Sequence, residues 1–293
     1  MKYKIKHTTH YRYSSQVSMC FNEARLTPLN NAHQSCSKNQ FTITPAPEVT
    51  HSRVDYYGNQ VTSFDILTPH RELVVTVQSE VQVSDHSQDG LFYRDHTWEY
   101  VRDTIQSSRN GDLLELREYI LNSPLIPETL GIREYAELSF QPKRPLLDAV
   151  MDLNQRIFTE FKYDPQSTTI STPLEDVLKN RHGVCQDFAH LGIACLRAMG
   201  LPAAYVSGYL ETLPPPGEEK LEGSDASHAW LAVYMPDYGW MQFDPTNNLM
   251  VGEQHIMLGF GRDFADVSPL KGVIYGGDAH TLSVSVDVAR QIE

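Results

Sequence analysis

From residue 2 to residue 13 the chain alternates. Tyr3, Ile5, His7, Thr9, Tyr11 and Tyr13 share one side of an extended backbone, and Lys2, Lys4, Lys6 and Arg12 lie on the other. A repeat of two is the signature of a half-buried β-strand and is incompatible with an amphipathic helix. Similar segments follow near 18–26, 39–44, 51–57, 60–67 and 72–84, and Tyr57-Gly58-Asn59 reads as a hairpin turn. Residues 1–85 are therefore expected to form an all-β, sandwich-like domain. Its five histidines are scattered, without catalytic spacing.

After residue 86 the repeat changes to three and four. Segments 91–106 and 112–122 read as helices in a connecting region spanning 86–144. A clearer amphipathic helix covers 145–161, with Pro145 in its first turn and Leu147, Val150, Met151, Ile157, Phe158 and Phe161 on one stripe. Thr172-Pro173-Leu174-Glu175 reads as a capping box with proline at the first helical position, and Gly183 as the stop of that short helix. Another helix is expected to open at Cys185, with Phe188, Ala189, Gly192, Cys195, Leu196 and Met199 on its apolar side, ended by Gly200 and Pro202. Strands are expected at 203–210, 227–234, 239–244 and 281–288, with a Pro- and Gly-rich linker at 212–226. Residues 145–293 then make a third unit, and the fold class is α+β.

Composition narrows the function. Hydrophobic residues make up 41% of the 293-residue chain, enough for a sizeable core and too many for a disordered protein. The net charge of −13 falls on residues 86–293, which disfavours nucleic acid as a partner. No apolar run reaches the ~18 residues of a membrane helix, and the N-terminal residues lack the apolar core of a signal peptide. A cytoplasmic location and no membrane partner are the expectations. The four cysteines, at 20, 36, 185 and 195, are too sparse for a disulfide framework.

Cys185 stands apart because it opens a helix. Unpaired N–H groups and the positive end of the helix dipole favour a thiolate there and can receive an oxyanion. Cys195, in mid-helix on the apolar stripe, reads as a structural thiol. A thiolate nucleophile needs a base, and the base an orienting group. His228 and Asp244 lie on two strands joined by a short turn. An odd-length loop centred on Pro236 would set His228 directly opposite Asp244 on one sheet face. Trp230, two residues from His228, faces the same side and is a candidate wall for a substrate. His182, Cys185 and His190 match no usual zinc spacing, so no metal is expected, and no cofactor. Asp187 reads as a local hydrogen-bond partner in the first turn.

Four segments carry a family resemblance: Arg181-His-Gly-Val-Cys-Gln-Asp-Phe-Ala-His190, Ala198-Met-Gly-Leu-Pro-Ala-Ala-Tyr-Val-Ser-Gly208, Ser227-His-Ala-Trp230 and Gly239-Trp-Met-Gln-Phe-Asp-Pro-Thr-Asn247. They resemble the transglutaminase-like core of the papain-like cysteine enzymes. The whole chain resembles bacterial transglutaminase-like proteins regarded as candidate cysteine proteases, which carry an N-terminal β domain and a segment like Gly261-Arg-Asp-Phe-Ala-Asp-Val-Ser-Pro269. The resemblance implies a papain-like core with the cysteine at a helix N-terminus packed on an antiparallel sheet. It also implies a triad of Cys185 as nucleophile, His228 as general base and acid, and Asp244 as orienter. The expected activity is thiol-dependent acyl transfer on a peptide, protein or small amide, with hydrolysis favoured over an amine acceptor and a non-catalytic binding module as the remaining alternative.

Overall fold

The computed structural model describes residues 1–85, 96–212 and 225–291. The linker expected at 212–226 falls mostly outside these residues, as does the start of the helix expected from 91.

A seven-stranded antiparallel sheet is built on β1 (Lys2–Ala24). The first half of β1 pairs with β5 (His70–Val83) on one side and β14 (His280–Arg290) on the other. The second half pairs with β4 (Gln60–Ile66) and β13 (Leu270–Gly276). Outer strands β2 (Gln34–Thr44) and β3 (Val49–Val54) extend β5 and β4. The expected alternation holds, with Tyr3, Ile5, His7, Thr9 and Tyr13 buried. A register break between Val17 and Met19 then inverts it, so that Cys20, Asn22 and Ala24 become the buried set. One extra residue in a strand does this because side chains alternate with a period of two. Side chains from both halves of β1 join one apolar cluster. The β3–β4 turn forms as expected: Gly58 has φ +85°, and Asp55 Oδ1 accepts from Tyr57 N at 3.0 Å and Asn59 N at 2.9 Å.

The domain division needs correction. Strands β13 and β14, assigned from the sequence to the 145–293 unit, complete the N-terminal sheet. Nor is 86–144 a separate unit. Helices α1 (Trp98–Ser107), α2 (Gly111–Glu115) and α3 (Leu130–Glu137) lie in this stretch, and Trp98, Val101, Ile105, Ile132 and Ala136 are buried in the same cluster as the helix that opens at Cys185. Alternation identifies a strand but not its partner across some 270 residues of chain.

The second sheet has the order β11-β10-β9-β8-β12, with β8 (Ala203–Leu210), β9 (Ala226–Met235), β10 (Gly239–Asp244), β11 (Leu249–Met250) and β12 (His255–Gly261) all antiparallel. One face carries Ala229, Leu231, Val233, Met241 and Phe243 into the cluster around α6 (Cys185–Ala198). Gly192 allows the close approach, since a Cβ there would lie 2.4 Å from Leu231. Around α6 pack α4 (Leu146–Glu160), α5 (Leu174–Asn180) and α3. On α4 the expected Leu147, Val150, Ile157 and the following Phe161 are buried, joined by Leu146 and Leu153, whereas Met151 and Phe158 are 40% and 47% exposed.

The ends of α5 also differ. Pro173 is its N-cap, without side-chain capping, and the Thr172 hydroxyl accepts from Thr169 N instead. Its C-cap is Arg181, at φ +58°. Gly183 lies beyond, in the short strand β7 (His182–Gly183), which pairs in parallel with β6 (Lys162–Tyr163).

Two amide side chains lock the sheets together. Gln34 exchanges hydrogen bonds with Met257 N and O at 2.8 and 2.9 Å, and Asn59 does the same with Phe260 N and O at 2.7 and 2.9 Å. Both cover the outer edge of β12, which would otherwise expose unpaired backbone groups. The Gly261-Arg262-Asp263 segment is a second fastening. Buried Asp263 caps α7 (Phe264–Val267) and accepts from Leu125 N, while Arg262 O accepts from the buried Arg197 guanidinium of α6.

Candidate active site

Cys185 is the first residue of α6 and half-buried. Val184, the N-cap, has no side-chain oxygen to offer the N–H groups of the first turn, so these remain available to an anion. Asp187 bonds the chain entering the helix instead. Its Oδ2 accepts from Val184 N at 2.9 Å and Thr168 Oγ1 at 2.6 Å. Burial pushes the Asp187 pKa up, against these two donors and the nearby His182. Gly183 makes room for this carboxylate, because a Cβ there would lie 2.8 Å from Asp187 Oδ2.

His228 and Asp244 meet as expected, but by a different register. The β9–β10 ladder pairs Met235 with Gly239 and Leu231 with Phe243, so the loop is centred on Asp237, at φ +67°, and not on Pro236. His228 therefore lies two positions beyond the residue facing Asp244. A slip of two preserves the sheet face, where a slip of one would not. His228 Nε2 lies 2.7 Å from Asp244 Oδ2. That leaves Nδ1 free of the carboxylate, and Cys185 is near enough to act electrostatically on the ring.

Asp244 is fully buried. Its Oδ1 accepts from Thr246 N at 2.9 Å and Asn247 N at 3.2 Å, and its Oδ2 from Asn247 Nδ2 at 2.7 Å. A further donor, His255 Nε2, approaches Oδ2 at 3.1 Å. Burial alone would raise the Asp244 pKa. Hydrogen bonds from His228 and His255, and the positive charge on His228, hold it well below the usual carboxylate range. Burial alone would lower His228, but hydrogen bonds and charges from Asp244 and Cys185 more than offset this and raise it to about 10. The buried carboxylate thus favours the imidazolium form of His228.

Trp230 does share the His228 face, with ring centroids 5.9 Å apart, but it is fully buried and donates from Nε1 to Gln242 Oε1 at 2.7 Å. It packs beneath the histidines and forms no wall of an open cleft, contrary to the sequence expectation. Gly208 provides the space, since a Cβ there would lie 2.4 Å from the indole. His190, weighed from sequence as a metal ligand, is buried and accepts from Phe264 N at 3.1 Å. Burial lowers its pKa to about 4.

The sequence reading missed His255 and Asn247. Asn247 lies in the Asp-Pro-Thr-Asn motif and could have been read as a turn residue reaching back to Asp244. His255 has no such signal. It comes from β12, which only the sheet order carries to the carboxylate. Among the described residues, His228, Asp244 and His255 form a cluster whose ligand atoms lie within 4.8 Å of one another. Their mutual hydrogen bonds account for the arrangement without an ion.

Residues 3–82 match the bacterial transglutaminase-like N-terminal region, and residues 133–245 match the transglutaminase-like superfamily. An uncharacterized protein of Mycobacterium tuberculosis is 44% identical over 98% of this chain and 92% of its own. One from Mycobacterium leprae is 34% identical over 98% of both. A protein-glutamine gamma-glutamyltransferase of Pseudomonas aeruginosa is 30% identical over 41% of this chain and 20% of its own. The crystal structure of a candidate cysteine protease from Cytophaga hutchinsonii covers all of this chain and 92% of that one, with a TM-score of 0.76 and 21% identity, which shows a shared fold. With its helix-borne cysteine, its antiparallel core sheet and its N-terminal β region, this chain belongs to the transglutaminase-like superfamily.

Proposed function

We propose that the protein is a thiol-dependent acyl-transfer enzyme acting on amide bonds, with water as the usual acceptor. The observation that carries this reading is His228, hydrogen-bonded to the fully buried Asp244 at 2.7 Å and electrostatically coupled to the half-buried Cys185 at the start of α6. The Cys185 thiolate attacks the amide carbon and forms the C–S bond. The resulting oxyanion is received by N–H groups at the start of α6, with that of Cys185 foremost. The His228 imidazolium gives its proton to the leaving nitrogen as the C–N bond breaks, and a thioester remains. His228, now neutral, takes a proton from water. The hydroxide attacks the thioester, and the acid leaves as the thiol is restored. Asp244 orients the ring and stabilises its charged form throughout.

Transfer to an amine uses the same first half. It is the second reading, favoured by the match between this core and the Pseudomonas transferase. Mass analysis of products from an amide panel, with and without added primary amine, separates the two. Free acid as the main product in both conditions supports hydrolysis, and dominant amine-linked product rejects it. Absence of any thioester or product, together with a Cys185 that labels no faster than an ordinary thiol, removes acyl transfer altogether. The substrate class is a peptide, protein or small amide, with no nucleic-acid partner.

A further inference from the structure

His255 has no role in the reaction just described, yet it occupies a hydrogen-bonding position on Asp244. It is 4% exposed, its Nε2 faces Asp244 Oδ2 at 3.1 Å, and its ring meets Trp230 edge-on with centroids 5.1 Å apart. Its Nδ1 is buried without a partner. Donation to Asp244 places a ring hydrogen on Nε2, and burial around Nδ1 disfavours a second one. Burial lowers the His255 pKa, against the Asp244 hydrogen bond and charge. An unsatisfied buried acceptor is costly, so a purely space-filling role would suit an apolar side chain better.

Asp244 is held by Thr246 N, Asn247 N and Asn247 Nδ2 as well. Its orientation therefore does not depend on His255. What His255 changes is the charge on Oδ2, the atom that also receives His228. We propose that His255 is a positioning residue that tempers the hold of Asp244 on the His228 proton, so that His228 can release it to the leaving group. The inference rests on the acyl-transfer reading. The titratable groups facing His255 are Asp244 on β10 and His228 on β9, and His228 in turn faces Cys185 on α6.

The test is titration of His228 by NMR with ring-labelled histidine, in wild type, His255→Leu, His255→Phe and His255→Gln, with His228→Gln for assignment. Removing the donor leaves more of the Asp244 charge to His228, so its proton-release midpoint moves up by about one unit in the Leu and Phe variants, a tenfold rise in proton affinity. Glutamine, whose amide can donate to the same oxygen, stays near wild type. Simple loosening of the site would lower the midpoint by weakening the Asp244 bond. An unchanged or lowered midpoint in the folded Leu or Phe variant overturns the proposal, as does a Gln variant that behaves like Leu. Should wild-type His228 prove neutral at pH 7, the acyl-transfer ion pair itself fails. A charged His228 that ignores the His255 variants removes only the tempering role.

Discussion

Each sheet of this molecule carries a histidine with a cysteine beside it. In the N-terminal sheet, Cys20 Sγ lies 3.8 Å from His70 Nε2, and Cys20 accepts from Asn22 Nδ2 at 3.1 Å. The far nitrogen of His70 faces a neutral carbonyl, Thr68 O, at 2.8 Å. In the core, the far nitrogen of His228 faces the buried carboxylate of Asp244. Cys20 is fully buried in mid-strand, and burial pushes its pKa up, although the Asn22 hydrogen bond opposes this. Cys185 is half-buried at a helix start. The same two side chains thus give a structural contact in one place and, on the proposed reading, a reactive arrangement in the other. The difference lies in the third group, the access and the backbone dipole, not in the pair. Cys195 extends the contrast within one helix, where full burial raises its thiol to about 12.

The largest test of this contrast is removal of each pair. Cys185→Ala or His228→Ala should lower thioester formation by about 10³-fold or more, measured by rapid quench and mass analysis. Cys20→Ala should leave it within about twofold. Equal losses from both would erase the distinction.

Asp244→Asn comes next, because it converts the core pair toward the type seen at Cys20–His70. Breaking a buried charge pair costs about 3–5 kcal/mol of stability, measurable by urea unfolding. The pH dependence has a definite sign. His228 has a raised pKa in the folded protein, so its contribution is complete below 6.5 and is lost as pH rises toward about 10. Asp244 has a lowered pKa, so its contribution is present above the usual carboxylate range and is lost in acid. The stability gap between wild type and Asp244→Asn should therefore be widest between the usual carboxylate range and pH 6.5, and narrow on either side. A gap independent of pH would mean that packing, not charge, holds the pair.

Gly183→Ala probes the helix start. The new Cβ meets Asp187 Oδ2 at 2.8 Å, so the carboxylate must leave Val184 N. Loss of that charge-assisted bond costs about 1–3 kcal/mol and should slow iodoacetamide labelling of Cys185 at pH 6 by several-fold. The smallest effect belongs to His70→Gln, which should leave that labelling rate unchanged.

What could be read from the residues divides along the same lines. The cysteine at a helix start, the strands at 203–210 and 239–244 and the even spacing of His228 and Asp244 were legible because they depend on local periodicity. The even spacing even survived an error of two in the hairpin register. Met151 and Phe158 were misassigned because apolar character alone does not say which flank of α4 its neighbours cover. For Trp230, alternation gives the face shared with His228 but not the depth at which the side chain ends, and so does not decide between cleft wall and core.

By itself, then, the sequence determined most strands of the first 85 residues, the helices at 145–161 and from Cys185, and the strands at 203–210, 227–234, 239–244 and 281–288. It also determined which three side chains could share a site; β12, β13 and α3 escaped it. Repeats of two and of three to four are imposed by backbone geometry within a few residues. Tertiary structure alone decided that the last two strands return to β1, that His255 reaches Asp244 from the edge strand, and that Gln34 and Asn59 fasten the two sheets together. Those contacts join residues far apart in the chain, and no local pattern encodes a partner that only the packing of the whole brings near.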